Sequence, residues 1–268
     1  MTSTRIRSMF RLAPIVLAGL VAAGAASAAG PGMGTTQSVL SHDGKLMYEA
    51  DAQKGRTTVD ILRAAQRLET VHLRGMYGFP LPTNDVSGEG LSHDGRTLVL
   101  AEGRPGGFAV LDARTLQVRR RIKLNGVFTY DALSPNAAML YLIQHQASGG
   151  EDHYYVRAYD VRAGRLVKQI VFDAREKGGL MTGWAVARAT GPSGRWVYTL
   201  YSHSNGTFFV HSLDTVDRHA FCVDLPGRVS PQAVQTMRLK LSPGKLVVMK
   251  GSTRFAVIDT KKLRVTRG

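Results

Sequence analysis

Hydrophobic and polar residues alternate in short runs along most of the chain, and the runs end at turn sequences. Alternation with a period of two residues predicts β-strands that bury one face. One type of turn, built on Leu-Ser-His-Asp-Gly or a variant of it, recurs five times and is followed each time by an apolar strand. Its copies lie at 40–44, 91–95, 133–137, 191–194 and 241–244. Turns of this composition between alternating runs predict antiparallel hairpins.

A second element follows the first in each repeat. It is an apolar strand that ends at Asp, then a short turn and a further strand. Its copies lie at 108–112, 156–160, 210–214 and 255–259, and the copy at 59–62 lacks the Asp. Each unit therefore has four strands, and the first residues of successive first turns are 51, 42, 58 and 50 residues apart. Periods of about 40–50 residues are typical of propeller blades, so we predict an all-β fold, a β-propeller of about five four-stranded blades.

The second unit has the clearest repeat signature. Residues 91–100 read Leu-Ser-His-Asp-Gly-Arg-Thr-Leu-Val-Leu, and residues 108–112 read Phe-Ala-Val-Leu-Asp. This pattern resembles the YVTN-type repeats of exported bacterial propellers, which are related to the WD-repeat class. The resemblance implies the fold, although longer members commonly have seven blades. It implies no single function, because such repeats serve binding, scaffolding and hydrolysis alike.

The N-terminal segment has the pattern of a signal peptide. Three arginines precede an apolar run at 12–21, and small residues continue to Ala29. The apolar run is shorter than the roughly 20 residues of a transmembrane helix, although an uncleaved anchor is the alternative. We therefore expect residues 1–29 to be a signal peptide, residues 30–268 to be one propeller domain, and the protein to be secreted or extracytoplasmic.

Composition adds a positive charge and excludes an internal disulfide. The net charge is +15; the three arginines of the N-terminal segment contribute +3 of it, which leaves +12. Cys222 is the only cysteine. A basic exported protein attracts anionic surfaces, so an anionic cell-surface polymer is a candidate partner. The basic residues are scattered and do not alternate with aromatic ones, which argues against nucleic acid as a partner.

Antiparallel topology predicts which face of the disc carries function. Connections after the first and third strands of each unit lie on one face, and connections after the second and fourth lie on the other. The long irregular segments all belong to the second group: 74–90, 145–154, 174–183 and 225–237. Binding residues concentrate on loops held by a rigid scaffold. We call this the loop-rich face and expect function there.

The candidate site residues combine aromatic, acidic and imidazole groups. The candidate ligand-binding residues are Tyr77, Phe79, Asp85, Glu89, Asp131 and Trp184. Asp131 and Trp184 are expected near the central channel, whereas the others lie in the 74–90 segment, for which a loop that covers the core is the alternative. A weaker set of metal ligands is His145, Glu151, Asp152 and His153. These groups can bind divalent metals, but their spacing matches no defined site, and a solvated hairpin tip is the alternative.

Two functional hypotheses follow. The sequence has no Gly-x-Ser-x-Gly, His-Glu-x-x-His, phosphate-binding or Cys-x-x-Cys motif. The first hypothesis is therefore an exported non-catalytic propeller without a cofactor, which binds a ligand or an envelope protein, or acts as a scaffold, through its loop-rich face. The alternative is a lactonase-like or other metal-assisted hydrolase with its site at the channel mouth. That alternative requires a divalent metal and carboxylates that converge on it.

Overall fold

The computed structural model describes residues 36–80, 89–146, 152–175 and 178–267. The predicted signal peptide, Asp85 and Glu151 lie outside these residues. The described chain is almost entirely β-strand, as the alternating pattern predicts. No helix in it is long and apolar enough to cross a membrane.

Five antiparallel four-stranded sheets follow one another along the chain, each with its strands in sequence order. The first sheet consists of β1 (Thr36–Leu40), β2 (Met47–Gln53), β3 (Arg56–Arg63) and β4 (Gln66–Arg74). The second consists of β5 (Tyr77–Gly78), β6 (Thr97–Glu102), β7 (Gly107–Asp112) and β8 (Val118–Lys123). The third consists of β9 (Val127–Leu133), β10 (Met139–Gln146), β11 (His153–Asp160) and β12 (Arg165–Val171), with β13 (Met181–Thr182) beside β11.

The last two sheets repeat this order. The fourth consists of β14 (Trp184–Thr190), β15 (Trp196–Ser202), β16 (Phe208–Asp214) and β17 (His219–Asp224). A short helix, α1 (Pro231–Val234), leads to the fifth sheet, which consists of β18 (Met237–Ser242), β19 (Lys245–Lys250), β20 (Thr253–Asp259) and β21 (Arg264–Arg267). The prediction of five four-stranded units is confirmed.

The recurrent turn closes the first hairpin of a sheet through its serine. In the second sheet the Ser92 hydroxyl donates to the Asp94 carboxylate at 2.6 Å and accepts the Thr97 N–H at 2.9 Å. Ser41 and Ser134 accept the equivalent backbone N–H in the first and third sheets, each at 2.9 Å. Local hydrogen bonds of this kind favour turns over continued strands. The recurring sequence therefore has a structural role.

Buried apolar clusters join consecutive sheets. One cluster combines the first and second sheets, and three others combine the second and third, the third and fourth, and the fourth and fifth. Val59 and Leu98, for example, are both completely buried in the first of them. Each such side chain contributes about 1.5–3 kcal/mol by leaving water. Within the described residues, none of these clusters joins the fifth sheet to the first.

The first strand of each sheet lies toward the centre and the fourth lies at the periphery. The outer strands β4 and β8 are exposed along most of their length. The three consecutive arginines at 119–121 belong to β8, where their charge discourages pairing with another sheet edge. Side chains from the innermost strands of the second, third and fourth sheets meet at the centre, as described below.

The segment 74–90 differs from the single long loop that we predicted. Residues 75–76 alone connect the first two sheets, and Tyr77–Gly78 is already the innermost strand of the second. The Glu89 N–H donates to the Pro80 carbonyl at 2.9 Å, so the chain returns to the point where it left. The insertion therefore starts and ends at this innermost strand. The segments 172–183 and 225–236 do connect consecutive sheets on the predicted face.

Candidate functional site

A buried ion-pair network occupies the centre of the molecule. Arg188 in β14 donates through Nη1 to Glu89 at 2.8 Å and through Nη2 to Asp131 at 2.9 Å. Its Nε donates to the Thr199 hydroxyl at 3.0 Å. The side chain of Arg188 is 6% exposed and that of Asp131 is 1% exposed. Because a buried charge is tolerated only when it is paired and hydrogen-bonded, these contacts hold the innermost strands of three sheets together.

The surroundings of this network favour a charged Arg188 and neutral phenols nearby. Burial alone would lower the pKa of Arg188, but the carboxylates of Glu89 and Asp131 raise it above its ordinary value. Burial is the main cause that raises the pKa of Tyr130 and of Tyr201; both Glu89 and Asp131 add to it at Tyr130, and Asp131 adds to it at Tyr201. The centre therefore contains one guanidinium that two carboxylates neutralise, beside protonated phenols.

A cleft of about 440 Å³ lies on the loop-rich face beside Trp184. Trp184 is the first residue of β14 and is 43% exposed. The opposite walls are the 203–207 loop and the connection that contains α1. The apolar lining includes Val186, Val229 and Val234, and the polar lining includes His203, Ser204, Asn205 and Gln235. Volumes between about 300 and 1,000 Å³ are typical of small-molecule sites.

The two walls of this cleft contact each other through their backbones. The Val229 N–H donates to the Gly206 carbonyl at 3.0 Å. Gly206 has φ +80°, and a Cβ there would approach the Val229 carbonyl oxygen to 2.7 Å. Only glycine fits this close approach without strain. In the loop, Asn205 Oδ1 accepts the Thr207 N–H and hydroxyl at 2.9 and 2.7 Å, which directs the carboxamide. The cleft is therefore preformed.

No family model and no curated protein matches the chain. Several solved structures of other proteins do match it. Hydrazine synthase from Kuenenia stuttgartiensis is 16% identical with a TM-score of 0.51, and the match covers 84% of this chain and 64% of that one. The β-propeller domain of Myceliophteria thermophila Cps50 (Swd1) is 14% identical with a TM-score of 0.48, covering 82% and 64%. TolB from Acinetobacter baumannii is 13% identical with a TM-score of 0.46, covering 85% and 52%.

The chain folds as a β-propeller. Its five sheets are the blades, and the prediction of fold is confirmed. At these identities the likeness concerns the fold alone. The chain spans 64% of the length of the hydrazine synthase and Cps50 chains that it matches.

Two predicted aromatic ligands lie inside the propeller. Tyr77 and Phe79 are 4% and 2% exposed and belong to the core between the first and second blades. The Tyr77 hydroxyl accepts a hydrogen bond from Arg121 Nη1 at 3.0 Å. Tyr77 is the first residue of β5 and Phe79 directly follows that strand. Their burial in this cluster assigns both side chains to packing between blades. Trp184 alone among the three predicted aromatic residues reaches solvent.

The predicted metal ligands are occupied by other partners. Glu89 and Asp131 both bind Arg188, so a metal ion would have to displace a buried guanidinium. His145 Nδ1 lies 2.8 Å from the Asp152 carboxylate, and His153 is the first residue of β11, opposite Thr182. Asp85 and Glu151 lie outside the described residues. Among the described members of the predicted ligand-binding and metal-ligand sets, no three residues therefore lie close enough together to hold a metal ion.

One group of three potential metal ligands exists elsewhere in the described chain. It consists of Asp214, Asp217 and His219, at the turn between β16 and β17 on the face opposite the cleft. Arg195 forms ion pairs with both carboxylates, and Asp214 Oδ1 accepts the Val216 and Asp217 N–H groups at 2.9 and 3.0 Å. These bonds explain the cluster as a turn. An acidic cluster alone does not identify a site.

We expect divalent cations to leave the thermal stability unchanged. An ion that binds only the folded state would raise Tm with concentration, but the candidate ligands described above already bind protein cations or each other. Thermal unfolding with 1 mM Ca²⁺, Mn²⁺ or Zn²⁺ should agree within about 1 °C with unfolding in EDTA. A rise of several degrees that disappears in Asp152→Asn would contradict this expectation.

A second polar arrangement lies on the loop-rich face of the third blade. His145 Nε2 is 2.8 Å from the Thr129 hydroxyl, and its Nδ1 is 2.8 and 3.0 Å from the two Asp152 oxygens. Thr129 lies in β9, His145 in β10, and Asp152 directly before β11. His145 and Asp152, both predicted as weak metal-ligand candidates, lie together as a hydrogen-bonded pair.

Two residues of these arrangements, Arg188 and Thr129, were not among the predicted site residues. Arg188 stands between Ala187 and Ala189 in the predicted innermost strand of the fourth unit. An isolated arginine among small residues in an inner strand is a usable signal for a buried ion pair. Thr129 carries no comparable signal, because threonine is common in strands for steric reasons alone.

Proposed function

We propose that the protein is an exported binding protein that holds a ligand, or a segment of a partner protein, in the cleft beside Trp184. The observation that carries this proposal is a half-exposed indole on the wall of a preformed cleft. Val127 and Leu180, which are 49% and 43% exposed, lie on the same face. Exposed apolar side chains around a concave site are typical of binding surfaces.

The lining of the cleft indicates a neutral ligand. Among the described lining residues, His203 is the only one with a titratable side chain, and none is acidic. Asn205 and Gln235 offer amide groups, and Ser204 offers a hydroxyl. An indole beside neutral hydrogen-bonding groups suits a molecule with one apolar face and hydroxyl or amide groups at its edge. We therefore expect a neutral ligand, and expect any anionic polymer to use the basic surface elsewhere.

Removal of Trp184 should weaken binding strongly. A screen can use the Trp196→Phe variant, in which Trp184 is the remaining tryptophan and its fluorescence reports on the cleft. The probes are chito-oligosaccharides and N-acetylated tripeptide amides, which represent neutral ligands of two sizes. For a probe that changes the fluorescence, Trp184→Ala should raise the Kd measured by calorimetry about 10–30-fold, because buried aromatic contacts dominate such sites.

A matched control separates the cleft from general surface effects. Leu68 is 42% exposed on the outer strand β4, far from the cleft in the blade order. Leu68→Ala should bind each probe with the wild-type Kd. Equal binding by wild type and Trp184→Ala, or no fluorescence change with any neutral probe, would contradict the proposed site.

A further inference from the structure

The Thr129–His145–Asp152 arrangement has a defined direction of proton transfer. The Asp152 carboxylate can only accept, so in the neutral imidazole the proton is on His145 Nδ1. Nε2 is then an acceptor, and the Thr129 hydroxyl at 2.8 Å donates to it. A hydroxyl that donates to an imidazole oriented by a carboxylate is the arrangement that activates a weak nucleophile.

Backbone contacts on both sides hold this arrangement in place. β10, which carries His145, pairs with β9 on one side and with β11 on the other. Asp152 is fixed by its carbonyl, which accepts the Gly183 N–H at 3.0 Å. Gly183 has φ +110°, and a Cβ there would lie 2.9 Å from the Ser202 carbonyl oxygen, so this anchor requires glycine. Groups placed on paired strands are positioned more precisely than groups on free loops.

The arrangement is open to a small molecule. The side chains of His145 and Asp152 are 25% and 24% exposed, and Thr129 is partly buried. It lies on the same face of the propeller as the cleft but on a different blade. The three side chains are therefore accessible to water and to a small substrate, in contrast to Arg188 and Asp131 at the centre.

The geometry points to a nucleophilic acyl-transfer site at Thr129, with His145 as general base and Asp152 as the group that orients it, acting on small carboxylic esters. Thr129 Oγ attacks the ester carbonyl carbon and forms a new C–O bond while His145 Nε2 takes the hydroxyl proton. The bond to the alcohol then breaks, and His145 returns the proton to the departing oxygen. Water repeats the sequence on the acyl-threonine, which releases a carboxylic acid and restores the hydroxyl.

The first blade contains a similar threonine–histidine pair, and within the described residues this pair has no hydrogen-bonded carboxylate. The Thr58 hydroxyl lies 3.1 Å from His72 Nδ1 on adjacent strands of the first blade. Within the described residues, no carboxylate hydrogen-bonds to His72. This pair is therefore an internal control for a threonine and a histidine that are merely neighbours. Replacement of Thr129 or Thr58 by Val removes each hydroxyl and keeps a β-branched side chain that suits a strand.

The test combines covalent labelling with hydrolysis by the full chain. A fluorophosphonate probe reacts with an activated hydroxyl, forms an O–P bond and releases fluoride. We expect one adduct, mapped by peptide mass spectrometry to Thr129, which is absent in Thr129→Val and present in Thr58→Val. Hydrolysis of p-nitrophenyl acetate should fall about 100-fold in Thr129→Val and in His145→Gln, because general-base catalysis contributes about 10²–10⁴-fold. Thr129→Ser should retain the adduct and the hydrolysis.

Three results would contradict a nucleophilic site at Thr129. Hydrolysis in folded Thr129→Val at the wild-type rate, or labelling at a residue other than Thr129, excludes this site; far-UV circular dichroism and Tm establish that the variant is folded. Absence of any adduct excludes it as well. Leu68→Ala, on the outer strand β4, should leave labelling unchanged. The cleft proposal is tested by the Kd of the neutral probes and this one by the adduct at Thr129, so their failures are separate outcomes.

Discussion

Arg188→Met is expected to lower the free energy of unfolding by about 3–5 kcal/mol, because removal of Arg188 leaves the buried carboxylate of Asp131 without compensation. Asp131 is 1% exposed, and its Oδ2 has no hydrogen-bond partner within the described structure, so its charge depends on the bond from Arg188 to Oδ1. In the variant, Glu89 also loses its hydrogen bond from Arg188 Nη1. Urea denaturation with linear extrapolation measures the change.

An exposed ion pair provides the control for Arg188. Lys45 Nζ lies 3.2 Å from Asp43, and the two side chains are 75% and 55% exposed. Exposed pairs contribute little to stability, so Lys45→Met should leave the midpoint of urea denaturation close to that of the wild type. Adding Asp131→Asn to Arg188→Met should recover part of the loss, since it removes the uncompensated charge of Asp131. Equal losses in the Lys45 and Arg188 variants would show that the central network is not a buried ion pair in solution.

Asp173→Ala is expected to cost about 2–3 kcal/mol at neutral pH, the scale of hydrogen bonds to a charged group. Asp173 is 1% exposed and lies in the segment that follows the third blade. Its carboxylate accepts the Cys222 N–H at 2.8 Å, and Arg175 donates to it from its backbone N–H at 3.0 Å and from Nε at 2.8 Å. The residue also forms a parallel bridge to Ala220. It therefore attaches the third blade to the outer strand of the fourth.

The loss in Asp173→Ala should disappear in acid. Burial alone would raise the pKa of this carboxyl, but hydrogen bonds from Arg175 and from the Cys222 N–H outweigh burial and lower the pKa from 3.8 to about 2. A lowered folded-state pKa stabilises the protein fully above about pH 4, and the contribution is lost as the pH falls toward 2.

Unfolding measured at pH 7 and at pH 2.5 tests this dependence. The difference in stability between wild type and Asp173→Ala should shrink at the lower pH. Asp51→Ala removes a surface carboxylate that bonds to Gln53, and should have an effect within about 0.5 kcal/mol at pH 7. A difference for Asp173→Ala that is the same at both pH values would mean that its carboxylate charge contributes nothing.

The fold was predictable because its determinants are local. Each recurrent turn is specified by residues within six positions, such as Ser92 with Asp94 and Thr97. Four-stranded units then follow from turn spacing and alternation. The same reasoning failed at 74–90, which we predicted as one long connection, because Tyr77–Gly78 is already a strand of the second blade and Phe79 is buried directly after it.

The central network was not predictable in the same way. Arg188 is 99 residues from Glu89 and 57 from Asp131 in sequence. Their contact depends on how three blades pack, and no spacing rule within a blade encodes it. Trp184 was expected near the central channel because it lies in the predicted inner strand of the fourth unit. Its exposure depends on the connection that contains α1, which leaves a cleft beside the indole instead of covering it.

The apolar cores found in the described residues join the blades in a row, which implies a gradient of local stability along the chain. In such arrays each unit depends mainly on its immediate neighbours. The first and fifth blades each share one of these cores, whereas the third and fourth share two each and also contribute Asp131 and Arg188 to the central network. Transient opening should therefore begin at the terminal blades and reach the middle last. The Thr129–His145–Asp152 arrangement lies on the third blade, which should open late. The cleft beside Trp184 lies between the fourth blade and the fifth, which should open early.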